Sequence, residues 1–474
     1  MIIKIQLFAF LIFINLKSNA QWQPDARLTN DSSTSFTSYN NSRCIAAKED
    51  TVHVIWEDSR DGAPEIYYKR STDGGISWGA DTRLTNNSFT SWFPCVSVNG
   101  SNVHVVWFDD RDGNYEIYYK RSIDAGTSWG SDIRLTNDSF ASGRPTIFAT
   151  DSVVHVAWGD TRNGDVREIY YKRSADGGNT WGADTRITND PNDSRHASIS
   201  ASGLYVHVLW IDLRDGNYEV YYKGSGDGGL TWGTDTRLTN TSTVSEYPLL
   251  TASGSVVHVV WADGPVSPSN IFYKHSTDNG ITWQPDVQLT NSSTAISIAP
   301  SLTVFDSMVH LVWQDNRDGN NEIYYNQSLD EGVSWGTDNR LTDQVASSES
   351  PFVTVSGTAV HVIWQDNRDG NYEIYYKQDP TGNSVGIEEN SIEYSFSIAP
   401  NPVRRGNNFV ININSQPDTR NSKIEIFNAL GENIYSEKLS SKTQTIYSQF
   451  FSSGIYFVKV IDGEKMLIQK VIVQ

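Results

Sequence analysis

The stretch STDGGISW at residues 71–78 decides how this sequence is interpreted, because it is repeated along the chain. All copies fit the pattern S-x-D-x-G-x-x-W, a turn rich in Asp and Gly that ends on an aromatic residue. The other copies, SIDAGTSW, SADGGNTW, SGDGGLTW, STDNGITW and SLDEGVSW, begin at Ser122, Ser174, Ser225, Ser276 and Ser328. Regular internal repetition indicates an architecture built from stacked equivalent units.

A second motif, V-H-x-x-W, marks seven repeats of 51 or 52 residues. Its copies end at Trp56, Trp107, Trp158, Trp210, Trp261, Trp313 and Trp364. Each repeat contains a short apolar strand, the V-H-x-x-W strand, a D-x-R-D-G-type turn, an EIYYK-type strand, the S-x-D-x-G-x-x-W turn and a short strand ending in R-L-T-N or a variant of it. Four short strands per repeat predict an all-β fold, a seven-bladed β-propeller.

The two ends of the repeat array complement each other. QPDARLTN follows Trp22 and matches the QPDVQLTN that follows Trp283, whereas the last EIYYKQ strand ends at Gln378 without a following Trp turn. We expect residues 26–30 to be the fourth strand of the seventh blade. This three-plus-one closure would leave no exposed sheet edge.

The S-x-D-x-G-x-x-W turn resembles the Asp box of the bacterial neuraminidase repeat (BNR), which occurs in sialidases and other secreted propellers. The resemblance implies a turn between the third and fourth strands, on the face away from a sialidase pocket. A structural role follows, in which the Asp accepts backbone N–H bonds and the Gly allows positive φ. The structural Asp-box residues are Asp73, Asp124, Asp176, Asp227, Asp278 and Asp330.

The pattern expected of a sialidase is incomplete in this sequence. Sialidases have six blades, an Arg-Ile-Pro element, three arginines that hold a carboxylate, a Tyr/Glu nucleophile pair and an Asp acid/base. The nearest equivalent here is Gly143-Arg144-Pro145, without the Ile, and the Glu-Ile-Tyr-Tyr runs belong to the repeat. No catalytic residue is assigned. A sialidase-like glycoside hydrolase, or a polysaccharide lyase, remains the alternative to a binding protein.

Recurring polar residues are best explained by the fold. The Asp two residues after each Trp of V-H-x-x-W is followed in six repeats by Arg, so an Asp-x-Arg pair within or between blades is expected. No metal site and no cofactor are predicted, with a Ca²⁺ ring of carboxylates as the alternative. One histidine per repeat is expected to make a buried hydrogen bond between blades: His53, His104, His155, His207, His258, His310 and His361.

Variation within the repeat indicates where a ligand would bind. Residues just before the usual Pro of the first strand differ from blade to blade and lie on the face opposite the Asp boxes. We expect an aromatic and cationic rim around the channel mouth, suited to stacking on sugars and binding their hydroxyls or carboxylates. The candidate ligand-binding residues are Arg43, Trp92, Phe93, Arg144, His196 and Tyr247.

The only two cysteines, Cys44 and Cys95, occupy equivalent positions in the first and second blades. Inner strands of a seven-bladed ring would separate their Cα atoms by roughly 6 to 7 Å, at the upper edge of disulfide geometry. In an exported protein, a Cys44–Cys95 disulfide is therefore predicted, with two buried free thiols as the alternative.

Export is indicated by the first 20 residues, where Lys4, an apolar run and Ser18-Asn19-Ala20 form a secretory signal peptide. No later run is apolar enough for a transmembrane segment. The formal charge of −19 becomes −24 over residues 21–394, once +2 from the signal peptide and +3 from residues 395–474 are set aside. So acidic a chain argues against nucleic-acid binding.

The composition changes after the repeats, where alternating apolar strands and Asn/Gly turns predict a small β-sandwich. It resembles the type A C-terminal sorting domain of the type IX secretion system (T9SS). The resemblance rests on Pro400-Asn401-Pro402, Asn428-Ala-Leu-Gly431, Ser453-Gly454-Ile-Tyr456 and Lys470-Val-Ile-Val. It implies partnership with the secretion machinery and a secreted or outer-membrane surface location.

The sequence thus predicts a signal peptide (1–20), a propeller (21–383), a linker (384–393) and a sorting sandwich (394–474). The favoured function is a secreted or cell-surface module that binds an extracellular glycan or protein. A structural adhesin or matrix protein is a further alternative.

Overall fold

The structure is a computed structural model that describes residues 22–38, 42–164, 166–264, 268–382, 396–413, 422–429, 431–439, 441–462 and 465–474. The predicted signal peptide and the predicted linker lie outside these residues. The chain divides into two compact units between residues 385 and 386. Each unit is described separately.

The described part of the first unit forms seven antiparallel sheets, which confirms the predicted blades. The innermost strands of blades two to seven are Ser91–Asn99, Ser142–Thr150, Ser194–Ser202, Ser245–Ser253, Ser297–Phe305 and Ser348–Ser356, and blade one has the two pieces Ser35–Phe36 and Ile45–Lys48. The second strands are Thr51–Asp58, Asn102–Asp109, Val153–Asp160, Tyr205–Asp212, Val256–Asp263, Met308–Asp315 and Ala359–Asp366.

The outer half of each blade is shorter. The third strands are Glu65–Ser71, Glu116–Ser122, Glu168–Ser174, Glu219–Ser225, Asn270–Ser276, Glu322–Ser328 and Glu373–Asp379. The fourth strands are Thr82–Arg83, Ile133–Arg134, Thr185–Arg186, Thr236–Arg237, Val287–Gln288, Asn339–Arg340 and, for blade seven, Ala26–Arg27. Innermost strands of successive blades contact one another, and Ser348–Ser356 contacts Ile45–Lys48, so the ring is closed.

The V-H-x-x-W strand packs between neighbouring blades. Its Trp is completely buried in blade one, and Trp56 Nε1 donates to Asp58 Oδ2 at 2.8 Å. Arg60 binds the same carboxylate, and it also pairs with Asp81 of its own blade and with Asp31 next to blade seven. Burial alone would raise the pKa of Asp58, but the Arg60 and Trp56 hydrogen bonds outweigh it and lower that pKa. The repeated Asp-x-Arg pair therefore holds together strands within a blade and joins blades.

The seven histidines differ from the prediction in one respect. His53 Nδ1 lies 2.7 Å from the hydroxyl of Tyr68, which is on the adjacent strand of the same blade. The predicted inter-blade bond is therefore wrong, because the His and its Tyr lie on neighbouring strands of one sheet and reach each other directly. Burial lowers the pKa of His53 to about 4, so its imidazole is neutral at physiological pH.

The S-x-D-x-G-x-x-W turn connects each blade to the one before it. In the second blade, Trp129 packs edge-on against Tyr68 of the first blade with ring centroids 5.0 Å apart. Gly126 has φ of 78°, and a Cβ there would lie 1.9 Å from the Tyr68 hydroxyl. Asp124 accepts the amide N–H of Ser128 at 2.8 Å and so fixes the turn. Turn geometry and packing between blades therefore explain the Asp, Gly and Trp of the motif.

The N-terminal strand completes the seventh blade, as predicted. Ala26 pairs with Tyr376, and Leu28 N donates to Ile374 O at 2.8 Å. Trp22 packs edge-on against Tyr325 at 5.0 Å, which is the contact that the Trp of the repeated turn makes in other blades. The closure therefore restores both the missing strand and the missing aromatic contact.

The second unit has two sheets among its described residues. One consists of Phe396–Ala399, Asn408–Ile413 and Thr443–Tyr447, and the other of Asn433–Lys438, Lys423–Asn428, Gly454–Asp462 and Lys465–Val473. A 3-10 turn spans Ser448–Phe450. Phe409, Ile426 and Val458 are among the buried residues of its own core. Within the described ranges, no helix has the length and apolar character needed to cross a bilayer.

Candidate functional site: the rim of the propeller

The first strands of blades two to seven bulge near the end that carries the D-x-R-D-G-type turns. In the second blade the register shifts between Trp92 and Cys95. The bulged residue has a positive φ of 50 to 58° although it is never glycine: Phe93, Arg144, His196, Tyr247, Ala299 and Ser350. Such a conformation costs about 1 kcal/mol or more for a residue with a Cβ. Bulges redirect side chains and are frequent beside functional sites, so this variable ring is the first candidate surface.

Trp92 and Phe93 form one wall of a cleft between blades one and two. Phe36, Glu57, Ser59 and Pro64 of the first blade complete the lining, and the cleft has a volume of about 320 Å³. The ring of Phe93 stacks on Phe108 with centroids 5.4 Å apart. Two of the predicted ligand-binding residues thus lie together in a concave, largely aromatic site.

Glu57 is the one ionisable residue that lines this cleft. Its Oε2 accepts the amide N–H of Phe93 at 3.2 Å. Burial raises the pKa of Glu57 to about 7, and the Phe93 hydrogen bond opposes the shift only in part. Near neutral pH the side chain is therefore a mixture of carboxylic acid and carboxylate, able to donate or accept a hydrogen bond.

Arg144 and His196 are brought together on the rim of blades three and four. The Arg144 guanidinium hydrogen bonds to His196 Nε2 and lies over the ring of Phe93, 5.8 Å from its centroid. Burial and the positive charges of Arg144, Arg195 and Arg167 lower the pKa of His196 to about 3. His196 is therefore a neutral acceptor, and Arg144 keeps the charge.

Two further arginines join this cluster. Arg195 lies over the ring of Tyr218 at 4.1 Å, and Arg167 and Arg195 approach the carboxylate of Asp193 at 3.9 and 3.5 Å. Burial lowers the pKa of Arg144, and repulsion from Arg167 and Arg195 lowers it further. We call Arg144, Arg167, Arg195 and His196 the cationic cluster. The negative charge of Asp193 acts in the other direction and raises the pKa of Arg144.

Arg43 does not contribute to this rim. It takes the position that Pro94 and Pro145 occupy in the next two blades, and its side chain crosses the channel. Its guanidinium donates to Leu250 O at 2.8 Å and lies over the ring of Phe148 at 5.5 Å. The candidate ligand residue Arg43 is thus engaged inside the ring, where it links blade one to blades three and five.

The predicted Cys44–Cys95 disulfide is absent, and both cysteines are buried free thiols. Cys44 Sγ lies 3.6 Å from Pro94 O, toward the second blade. The thiol of Cys95 lies beside Thr146 and Ile147 of the third blade and also beside the backbone of Arg43 in the first blade. Each sulfur therefore has polar contacts of its own, and neither is bonded to the other. Burial raises the pKa of both thiols.

The other positions of the rim are small or packed. Tyr247 packs on the core between blades five and six, whereas Ala299 and Ser350 are buried.

Blade five also departs from the repeat. Asp263 accepts a hydrogen bond from Thr243 at 2.9 Å where other blades have an arginine, and burial raises the pKa of Asp263. Part of its irregular turn, residues 265–267, lies outside the described residues. No group of three or more His, Cys, Asp or Glu in the described ranges is arranged to hold a metal ion.

Sequence analysis missed Glu57, Arg167, Arg195 and Tyr218. Each occupies a position that varies among blades, but only one column was compared in full, and Arg195 was missed although its column contains the candidate Trp92. Glu57 follows the Trp of V-H-x-x-W, where other blades have Phe108, Gly159, Ile211, Ala262, Gln314 and Gln365. A comparison of all variable columns on this face would have found them.

Comparisons with known proteins agree with the two-part organisation. Residues 397–474 match the family described as the secretion system C-terminal sorting domain. The protein is therefore exported, to be secreted or held at the cell surface. None of the curated proteins matches the chain.

Solved structures resemble the chain in fold at low identity. A polysaccharide lyase of the PL25 ulvan lyase family is 11% identical with a TM-score of 0.52, covering 73% of this chain and 93% of its own. Polysaccharide lyase Uly1 is 9% identical with a TM-score of 0.50, covering 75% and 98%. The Trypanosoma rangeli sialidase is 11% identical with a TM-score of 0.44, covering 83% and 85%. The chain is a seven-bladed β-propeller whose residues 397–474 form a T9SS C-terminal sorting domain.

Proposed function

We propose that the propeller binds an acidic extracellular glycan on the rim of blades two to four. The observation that carries this proposal is the cationic cluster, in which Arg144, Arg167 and Arg195 gather beside the single carboxylate of Asp193. The chain around it is strongly acidic, since residues 21–394, the propeller with the predicted linker, carry a formal charge of −24. A local positive site in such a protein favours an anionic ligand.

The chemistry of the cluster suits a carboxylate or a sulfate group. Guanidinium groups bind planar or tetrahedral oxyanions through paired N–H donors, and a partly buried anion would relieve the repulsion among the three arginines. The adjoining half-buried indole of Trp92 suits the apolar face of a sugar ring. The likeness to polysaccharide lyases supports the fold alone, so the ligand class is argued from these side chains.

The test is a glycan array probed with the full exported chain, containing acidic and neutral polysaccharides. We expect acidic glycans to bind and Arg144→Ala/Arg195→Ala to weaken binding by about tenfold or more. Arg70→Ala/Arg121→Ala is the matched control, since it removes the same two charges from residues that bond Ala125 O and Gly177 O on the opposite face. Binding should weaken as NaCl is raised from about 0.05 to 0.5 M. Unchanged binding by the double variant would contradict the proposal.

A glycoside hydrolase or lyase is the second candidate, and Glu57 is the observation that favours it. A carboxyl group with a pKa of about 7 has the protonation behaviour of a general acid. Retaining and inverting hydrolases need a second carboxylate at a defined distance, and the described residues that line the cleft include no carboxylate besides Glu57. Incubation with the glycans that bind should therefore release no reducing ends and no unsaturated products. Turnover that Glu57→Gln abolishes would make the protein an enzyme.

A further inference from the structure

The cleft between blades one and two has a chemistry different from that of the cationic cluster beside it. Its walls are Phe36, Pro64, Trp92 and Phe93, and its polar groups are the carboxyl of Glu57 and the hydroxyl-bearing Ser59. The cleft therefore offers aromatic faces and two hydrogen-bonding side chains but no cation. Such a lining suits an uncharged ring with one apolar face and several hydroxyl groups.

The residues equivalent to Glu57 in other blades show which of its contacts belongs to the fold. Gln314 occupies the equivalent position in blade six, and its Oε1 accepts Ser350 N at 3.2 Å, as Glu57 accepts Phe93 N. Gln365 does the same for Thr37 N. Both glutamines are buried, whereas Glu57 is less enclosed and lines the cleft. One oxygen of Glu57 thus does what an amide oxygen does elsewhere, and the residue in addition lines the cleft.

Trp92 shows a similar departure from the repeat. Its column contains Gly143, Arg195, Glu246, Ile298 and Glu349 in the following blades. The strand therefore forms with many side chains at this position, and packing of the blade does not require a Trp. The half-buried indole rests against Phe108 at 6.0 Å and Tyr115 at 6.1 Å, which holds it as a wall of the cleft.

We propose that this cleft is a separate subsite for an uncharged pyranose ring, which stacks on Trp92 and hydrogen bonds to Glu57 and Ser59. The inference rests on the proposed function, because Phe93 lines the cleft and also lies beneath Arg144 of the cationic cluster. The two sites together accept a glycan in which a neutral sugar adjoins an acidic one. The neutral sugar supplies contact area, and the acidic sugar supplies the charge.

The variants that test this subsite come from the repeat itself. Trp92→Ile introduces the residue of blade six, Glu57→Gln that of blades six and seven, and Glu57→Ala that of blade five. Each side chain already occurs in an equivalent strand, so the fold should be retained, as thermal unfolding will verify. Arg144→Ala/Arg195→Ala addresses the cationic cluster alone.

Binding is measured by isothermal titration calorimetry on the full chain. The neutral probes are cello-, xylo- and mannohexaose, and the acidic probes are oligosaccharides of alginate, polygalacturonate and sulfated ulvan. We expect at least one neutral hexaose to bind, with a loss of about tenfold or more in Trp92→Ile and Glu57→Ala. Glu57→Gln should stay within about threefold of wild type, and the double arginine variant should lose much more affinity for the acidic probes than for the neutral ones.

The outcomes distinguish the two proposals. If no neutral hexaose binds, and acidic probes lose affinity only in the double arginine variant, the subsite is wrong and the proposed function stands. If Glu57→Ala and Trp92→Ile lose neutral binding while the double arginine variant keeps it, the subsite is established. If neither class of probe binds the wild-type chain, both proposals fail.

Discussion

Two adjacent glycines in the turn at 71–78 differ in how much space a side chain would have. Gly74 and Gly75 both have positive φ, of 71 and 88°. A Cβ on Gly74 would meet no atom within 4 Å, whereas a Cβ on Gly75 would lie 1.9 Å from the hydroxyl of Tyr376 in blade seven. The second glycine is therefore required by the neighbouring blade as well as by its own backbone.

We predict that Gly75→Ala destabilises the propeller much more than Gly74→Ala. The control substitution costs about 1 kcal/mol, from backbone strain. Gly75→Ala adds displacement of Tyr376 and loss of its 2.7 Å bond to His361, for a total of about 3 kcal/mol or more. Urea unfolding of the two variants measures the difference, and equal midpoints would show that the contact with Tyr376 is unimportant.

Glu57 predicts a pH dependence of stability. Its pKa is raised from an ordinary 4.5 to about 7 in the folded protein, so the folded state binds the proton more tightly than the unfolded chain. The contribution is complete below pH 4.5 and is lost as the pH rises through 7. At low pH, the free energy of unfolding of Glu57→Gln should therefore be nearly that of the wild type. At pH 8, it should exceed the wild-type value by up to roughly 3 kcal/mol. Parallel curves from pH 4.5 to 8 would contradict the shifted pKa.

Single residues also show what sequence could and could not predict. The spacing of Trp residues predicted seven blades because packing of identical units requires a fixed period. Arg43 was assigned to the rim, but it occupies a proline column and turns inward, a direction that periodicity does not encode. The Cys44–Cys95 distance was plausible, yet both thiols are free and contact separate backbone groups, which sequence spacing does not encode. Glu57 was missed because the cleft that it lines is completed by Trp92 and Phe93 of the neighbouring blade, a contact that its own repeat does not encode.

At the scale of elements, the fourth strand of blade seven reproduces the contacts of the other blades with residues from the opposite end of the unit. Asp25 pairs with Arg368 at 2.8 Å and with Lys377 at 2.9 Å, as Asp81 does with Arg60 and Lys69 in blade one. Arg27 pairs with the buried Glu373. Closure therefore depends on ion pairs and an aromatic contact as well as on two strands.

We predict that deletion of residues 22–31 causes aggregation or a large loss of stability. The deletion exposes the edge of Glu373–Asp379 and leaves the buried Glu373 carboxylate without Arg27, a cost of several kcal/mol. Trp22→Ala is the milder comparison and should cost about 2 kcal/mol through lost packing on Tyr325. Size-exclusion chromatography and thermal unfolding provide the measurement. A monomer with an unchanged melting temperature would refute the closure.

At the scale of the whole molecule, Arg43 and Arg144 lie near the channel but make different kinds of contact. Arg43 donates hydrogen bonds to the carbonyl oxygens of Leu250 and Ile199, which belong to distant blades. Arg144 bonds His196 at the mouth, within the cationic cluster. The ring is therefore braced across its interior, and the charge available to a ligand lies on its rim.

We predict that these two arginines separate stability from binding. Arg43→Ala should lower the free energy of unfolding by about 2 kcal/mol, because buried carbonyls lose a charged donor, while acidic-glycan affinity stays near wild type. Arg144→Ala should weaken binding with little change in stability. Unfolding in urea and calorimetric titration of each variant provide the two readouts, and a reversed pattern would place the binding site inside the channel.

The pairing of Ala26 with Tyr376 has a consequence for how the chain is made. Its two partners are separated by almost the full length of the propeller, so a ribosome must complete all seven repeats before this pairing is possible. Bringing such distant segments together costs about 5 kcal/mol of chain entropy, and folds rich in long-range contacts form slowly. Early blades can assemble before the last repeat is available, but the ring becomes complete only at the end, and blade seven should be the first to open when the protein is stressed.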